Sequence, residues 1–382
     1  MAESLHNASS NDNRLTFVRL CPDTLARVTG EAVCMSYFSL HSSHWKGKTL
    51  ALFAALVTLS ISVASAQDVP AITGGIGFLT STNGGNTTYL PVLSPALIAP
   101  LGNHLLVESR ASIIGAIFPS SQGGYDHSTF IGLSYLQADI IASRHLTIVA
   151  GEFLTPFATY NERLTPIWIS NFENTPLSYG LGTMGTGSSV GGMLRGSAYS
   201  NSNLNIDYAA YFSAGSTNLQ FDSERSSGGR GSVYFNKPRL EIGASYNRLL
   251  QNTHENFSGV HVWWEPADTH LRIRSEWARG PHANGYWIET AYRLASFGGE
   301  ESFIGRFEPL FRMNQTFRSA PDPEDGLPSA NTQQADFGLN YHLPHELRIN
   351  TSYSREFSST GDRNIWQTGL IYRFLFPAWR GK

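Results

Sequence analysis

Beyond residue 66 one pattern recurs: apolar and polar residues alternate over segments of about ten residues, divided by turn residues, and no long apolar run interrupts them. In Gly285–Leu294, GYWIETAYRL, the side chains of Tyr286, Ile288, Tyr292 and Leu294 share one face with Thr290, while Glu289 and Arg293 take the other. In Leu347–Phe357, Leu347, Ile349 and Tyr353 oppose Arg348, Asn350, Ser352, Ser354 and Glu356. Phe337, Leu339, Tyr341 and Leu343 oppose Asp336, Asn340 and His342, and Leu271, Ile273 and Trp277 oppose Arg272, Arg274 and Glu276. A period of two means strand, because successive side chains leave a strand on opposite faces. Alternation fits both a soluble sandwich, whose apolar face meets a core, and a closed barrel, whose apolar face meets lipid and whose polar face lines a lumen. Segment length favours the barrel, since a tilted transmembrane strand needs ~9–11 residues and soluble strands average ~5–6. Tyr246, Trp264, Trp277, Tyr286, Tyr341, Tyr353 and Tyr372 recur at segment ends, as an interfacial aromatic girdle requires.

Composition agrees. Charged residues are 15% of the 382, glycine numbers 36 and aromatics are 12%. A helical protein would carry more Ala, Glu and Lys, whereas this mixture suits a pleated surface. Mean hydropathy of −0.19 excludes a bundle of membrane helices.

The N-terminal region reads as an export signal. His44-Trp45-Lys46-Gly47-Lys48 is a basic segment, Thr49–Val63 is apolar, and Ala64-Ser65-Ala66 is a cleavage site ahead of Gln67. The apolar run falls short of the ~20 residues of a spanning helix. We expect residues 35–66 to be a signal peptide cut between Ala66 and Gln67, with translation beginning near Met35 and residues 1–34 an over-extended N-terminus. The remaining domain is then 67–382. Both cysteines, Cys21 and Cys34, lie ahead of the cut, so the mature chain carries no disulfide, cysteine nucleophile or thiolate metal site. Of 27 basic residues five precede the cut, leaving 22, and of 30 acidic residues four precede it, leaving 26, for a net charge of −4. No basic patch suggests nucleic acid. The mature chain is then periplasmic, secreted, or in a membrane as a β-barrel, because only helices and closed barrels satisfy their backbone polar groups in lipid and no second long apolar run exists.

Strands are expected near 73–81, 103–118, 129–143, 145–156, 188–200, 204–215, 229–236, 240–250, 257–266, 271–280, 285–294, 302–316, 333–343, 347–357 and 365–376. Residues 86–100, broken by Pro91, Pro95 and Pro100, offer one more. Bacterial barrels carry even numbers of strands, so we expect an all-β, transmembrane antiparallel barrel of sixteen strands, with fourteen second. Tight turns at 201–203, 236–238 and 344–346 contrast with long connections at 157–187, 216–228 and 317–332. The first of these is too polar and too interrupted by Pro156 and Pro166 for a strand, and long loops without structure of their own are usually functional. It carries Glu162, Arg163, Asn171 and Glu173, the side chains suited to a constriction if the loop folds into the lumen.

The same stretch resembles a family. Gly151–Phe157, GEFLTPF, followed by Asn171–Leu177, NFENTPL, resembles the G-x-F-K-x-P-F and F-x-E-R-x-L-P segments of the phosphate-selective (O/P) porins. The resemblance implies a trimeric outer-membrane channel of sixteen strands in a Gram-negative bacterium, with its third loop folded inward. Leu154 stands where that motif often has Lys, and only Lys237 and Lys382 follow the cut, so phosphate specificity is not implied. Ile365–Phe376, IWQTGLIYRFLF, resembles the aromatic-ended last strand recognised by the barrel assembly machinery, although PAWRGK follows it.

The expected function is passive diffusion of ions or small hydrophilic solutes, with the lipid bilayer as partner and no cofactor or metal. Rings of charged side chains set the preference of such a pore. The lumen candidates are Glu152, Glu162, Arg163 and Glu173, with Arg110, Arg272, Arg274, Glu289 and Arg293; Glu108, Arg195, Arg248 and Glu276 are further polar-face residues. For any one of them, a paired charge that merely solvates the wall is the blander alternative. Gly182–Gly192 has the glycines of a phosphate-cradling loop but not its Lys-Ser/Thr ending or following helix, and reads as a flexible connection. No catalytic residue is proposed. The alternatives are a plugged structural or adhesin barrel and a lipase-like barrel enzyme, which would need a Ser–His pair at the lipid face.

Overall fold

The computed structural model describes residues 69–377 except 180–183, 185, 215–223, 252–253, 268 and 321–324. The expected leader, signal peptide and cleavage point lie outside the described residues, as does part of the glycine-rich run. The chain forms β1 (Ala71–Asn83), β2 (Asn86–Leu101), β3 (Leu105–Pro119), β4 (Tyr125–Ser143), β5 (Leu146–Leu154), β6 (Ser188–Ser200), β7 (Leu204–Ser213) and β8 (Ser226–Phe235). It continues through β9 (Leu240–Leu249), β10 (Asn256–Trp264), β11 (Leu271–Arg279), β12 (Ala283–Tyr292), β13 (Phe307–Arg318), β14 (Thr332–His342), β15 (Leu347–Ser358) and β16 (Arg363–Pro377). Each strand pairs antiparallel with its sequence neighbours, and β1 closes on β16 from Ala71↔Pro377 to Asn83↔Ile365, giving a closed barrel of sixteen strands.

The polarity is inside out relative to a soluble protein. On β14, Asp336 and Asn340 are 0% exposed while Phe337 is 55% exposed. On β15, Asn350, Ser352, Ser354 and Glu356 are buried, whereas Ile349 and Phe357 stand exposed. On β9, Glu241, Ser245 and Asn247 point in, and Ile242 and Tyr246 point out. A sandwich would bury the other face of each strand; this pattern is that of a barrel in lipid.

Long and short connections are shared unevenly between the two ends. The connections 102–104, 144–145, 201–203, 236–239, 265–270 and 343–346 are short and share one end of the barrel. The opposite end carries 155–187, 214–225 and 319–331. The one long connection at the short-turn end is 293–306.

The loop 155–187 turns inward and supplies much of the buried apolar matter. Phe157, Ala158, Tyr160 and Leu164 pack with Tyr179, Met184, Ala278 and Trp287, and Phe257 and Trp263 flank them. Ile167 and Trp168 pack against inward Leu79, Val92 and Ile371. The wall makes room for them by omitting side chains: a Cβ on Gly75 of β1 would come within 2.7 Å of the Trp168 ring and 3.2 Å of Ile167.

Candidate functional site: the loop inside the barrel

Two limbs of the loop are fixed to different parts of the wall. The first contains a single π turn, Tyr160–Leu164. Its anchor is Glu276 of β11, whose Oε1 accepts from the backbone N–H of Thr159 at 2.7 Å and of Tyr160 at 2.8 Å, and from the Thr159 hydroxyl. The indole N–H of Trp287 reaches the other carboxylate oxygen at 3.3 Å. Ser245 of β9 receives the Ala158 N–H at 2.9 Å, and Arg230 of β8 donates to the Ala158 carbonyl at 2.6 Å and to Glu162. Arg163 binds Glu241 of β9 through two nitrogens, at 2.7 and 3.1 Å, and lies 5.4 Å from the centre of the Trp263 ring. A few residues on, Arg110 of β3 donates to Thr165 at 3.1 Å. This limb is therefore bonded both to the β8–β11 wall and to β3.

The second limb lies along β11–β15. Asn171 donates to Glu289 of β12 at 2.6 Å and receives Arg272 of β11 at 3.3 Å. Arg348 of β15 donates to the carbonyls of Ile167 and Ser170 at 3.0 and 2.6 Å. Arg312 of β13 binds Asn174 through its carbonyl at 3.1 Å and its side chain at 2.6 Å, pairs with Asp336 at 2.7 Å, and lies over Phe172. Asn314 accepts the Leu177 N–H at 3.1 Å, and Ser178 meets Thr316 at 2.9 Å. Glu173 accepts from Ser352 at 2.9 Å, while its Oε1 is buried without a partner among the described residues. Burial pushes the Glu173 carboxyl up from the ordinary carboxylate range.

The inner face of β5–β8 carries a buried cluster of its own, Val149, Phe153, Met193, Ala209 and Tyr211. Between it and the first limb lies a cavity of about 300 Å³ lined by Thr147, Glu162, Arg163, Arg195, Asp207 and Arg230, among others. Arg195 pairs with Asp139 of β4 and stands 3.9 Å from Glu108. A second cavity, about 280 Å³, opens at the short-turn end among Glu265, His270, Arg272, Arg293, Glu308 and His342.

The residues singled out in the sequence thus separate into groups. Glu162, Arg163 and Arg110 belong to the first limb and its contacts; Glu173, Arg272 and Glu289 belong to the second. Arg274 stacks 4.2 Å from the Trp263 ring and stands 4.0 Å from Glu289. Arg293 sits at the far mouth, where its Nε donates to the Gly305 carbonyl at 3.0 Å. Glu152 departs from the expectation of a lumen residue. It alternates with inward Phe153, lies opposite exposed Leu136, and accepts from Ser188 at 2.8 Å, so strand parity turns it to the outer face. Sequence reading passed over Arg230, Glu241, Arg312 and Arg348 as site residues, although each sits on the polar side of an alternating strand. Gly187-Ser188-Ser189-Val190-Gly191 has the spacing of a nucleophile elbow, but it runs straight into β6, and Ser189 is buried against the Thr155 hydroxyl at 2.9 Å. Among the described residues no cluster of His, Cys, Asp or Glu is placed to hold a metal ion.

No protein-family profile matches the chain, and no curated protein does. Solved structures do. The loop-L8 deletion form of OmpT, an outer membrane protein of Vibrio cholerae, aligns with a TM-score of 0.53 at 10% identity over 80% of this chain and 99% of its own. A trimer form of OmpT aligns at 0.52 and 11% identity, over 80% and 99%. OprB of Pseudomonas putida, determined at low pH, aligns at 0.50 and 10% identity over 89% of this chain and all of its own. At such identities the likeness is one of fold: the chain shares the closed antiparallel barrel of these outer-membrane proteins.

Proposed function

We propose that the protein is an outer-membrane porin of a Gram-negative bacterium, passing ions or small hydrophilic solutes by passive diffusion. The observation that carries this reading is the asymmetry of the loop. Its limbs are bonded to β3, β8–β9, β11–β13 and β15, and a polar cavity lined by charges of both signs stands between the first limb and β5–β8. In this reading the wall removes the lipid barrier, the loop narrows the lumen, and the lining charges bias entry. Assembly as a homotrimer and delivery by the barrel assembly machinery through β16 belong to the same reading. Membership of the phosphate-selective porins rests on the Gly151–Phe157 and Asn171–Leu177 motifs, and phosphate specificity is not part of the proposal.

Arg163 is the residue through which to test it. Arg163→Ala removes a cation from the cavity and leaves Glu241 with His261, 3.3 Å away, as its remaining side-chain partner among the described residues, so the reversal potential in a planar bilayer under a salt gradient should shift toward cations. An unchanged reversal potential would remove Arg163 from the passage. A second reading, a barrel plugged by its own loop, draws on the many wall contacts just described; a folded barrel that carries no current would favour it.

A further inference from the structure

The connection 293–306 is an exception at an end of tight turns, and it is built rather than slack. Two short 3-10 turns, Leu294–Phe297 and Ile304–Arg306, are joined through Gly298 and Gly299. The Gly299 N–H donates to Ala295 at 2.8 Å, the Ser302 hydroxyl receives the Gly305 N–H at 2.9 Å, and Arg293 staples the far side by donating to Gly305 at 3.0 Å. A Cβ on Gly305 would come within 1.9 Å of the Gly299 carbonyl, so the two turns are pressed together. Yet this ordered knob leaves Phe297 67%, Phe303 70% and Ile304 52% exposed. Large apolar side chains held outward by a defined scaffold mark an interaction surface.

The neighbours of the knob identify what it meets. Phe303 packs edge-on against Phe307 at 5.3 Å between ring centres and against Tyr341 at 5.9 Å. On the other side the Tyr292 hydroxyl bonds Ser296 at 2.7 Å. Tyr292, Phe307 and Tyr341 lie on the outward face of β12, β13 and β14, in line with exposed Ile288, Phe311, Phe337 and Leu339. The apolar surface of the knob is thus continuous with the lipid-facing band and extends it past the strand ends, while Glu301 at the tip is 99% exposed. Amphipathic elements with aromatic residues on one side and charge on the other settle at the headgroup–acyl boundary.

We propose that the 293–306 knob is a membrane anchor that inserts Phe297, Phe303 and Ile304 into the leaflet interface at the short-turn end. It fixes the depth of that side of the barrel and keeps the β12–β13 turn from leaning over the cavity that Arg293 lines. This rests on the barrel lying in lipid, and not on its conducting.

The test is spin-label accessibility in phosphatidylcholine vesicles, on a background with Cys21 and Cys34 replaced by Ser. Labels go singly on Phe297→Cys, Phe303→Cys and Glu301→Cys, with Phe337→Cys as the lipid-face control. Labels at 297 and 303 should collide with oxygen severalfold more than with a water-soluble nickel complex, as at 337, and the label at 301 should show the reverse. Nickel access at 297 and 303 equal to that at 301 overturns the anchor. Protection from both relaxers also overturns it, since a protein partner then covers the knob. A control at 337 that behaves as water-exposed defeats the transmembrane reading instead, so the two failures are told apart.

Discussion

Glu276 holds the loop more firmly than any other single side chain described here. Its carboxylate collects two backbone N–H groups, a hydroxyl and an indole N–H, in a site without exposure to bulk solvent. A buried donor left without its partner costs roughly 1–3 kcal/mol. Glu276→Ala, which orphans the Thr159 and Tyr160 N–H groups, should therefore weaken docking of the first limb by on the order of 2–5 kcal/mol. Proteolysis of the loop in vesicles should accelerate, with the circular dichroism of the barrel unchanged; Glu276→Gln, which keeps one acceptor oxygen, should lose less. Glu173 makes a second residue-scale prediction. Because burial raises its pKa, the docked loop holds this proton more tightly than the free loop does. Its contribution is therefore fully favourable in acid and declines as pH rises from the ordinary carboxylate value, about 4.3, through the raised one. Glu173→Gln, which mimics the protonated form, should leave the second limb docked at least as firmly as wild type at neutral pH, and the two should converge in acid. Hydrogen exchange of the Asn171–Leu177 amides reads this directly; a variant with less protection than wild type at neutral pH contradicts it. At this scale the sequence was half legible. Glu162, Arg163 and Glu173 stood out because they interrupt an unusual loop. Their partners Arg230, Glu241 and Ser352 sit at ordinary positions of ordinary strands, and only closure of the barrel brings them within reach. Glu152 lies within the motif, but strand parity turns it to the outer face.

The strands were the most legible elements. The ranges 188–200 and 347–357 agree with β6 and β15 to within a residue, since alternation fixes a strand wherever one face meets lipid and the other the lumen. β2 was the least legible. Pro91, Pro95 and Pro100 each remove a ladder donor and are ordinarily excluded from a central strand, yet β2 pairs with β1 continuously from Asn86 to Ile98. The omitted ladder positions fall on its other side, where pairing with β3 skips Leu90–Pro91 and Ser94–Pro95. The strand is thus admitted because its defects are confined to one seam. The loop is the other element whose course depends on detail. Gly75 and Gly77 leave the inner wall of β1 bare opposite Trp168 and Ile167, and the three atoms nearest a Cβ at Gly75 all belong to those loop side chains. Overpacking of this kind costs about 1–3 kcal/mol. Gly75→Ala should push Trp168 off the wall and raise the conductance or its noise while the barrel still folds. Identical single-channel traces from variant and wild type would show that the Trp168 contact does not position the loop.

For the whole molecule the decisive physical fact is the inversion of polarity. Asp336, Arg312, Asn340 and Glu276 are enclosed, while Ile76, Phe337, Trp366 and Leu370 face outward. Such a surface is stable only where water is absent, and a barrel is the strand architecture without an edge to expose there. That much follows from alternation and segment length. How far the lumen remains open does not, because it depends on the path of 155–187 across the barrel, and that path is set by side-chain pairs distant in sequence. In the proposed porin reading the loop narrows the barrel without sealing it. The most direct measurement is the current through refolded protein, verified as a folded barrel by circular dichroism and heat-modifiable migration, in a planar bilayer. A loop-narrowed pore should give stepwise openings, with a reversal potential under a salt gradient that moves when Arg163 is replaced. Persistent electrical silence from the verified barrel would contradict it.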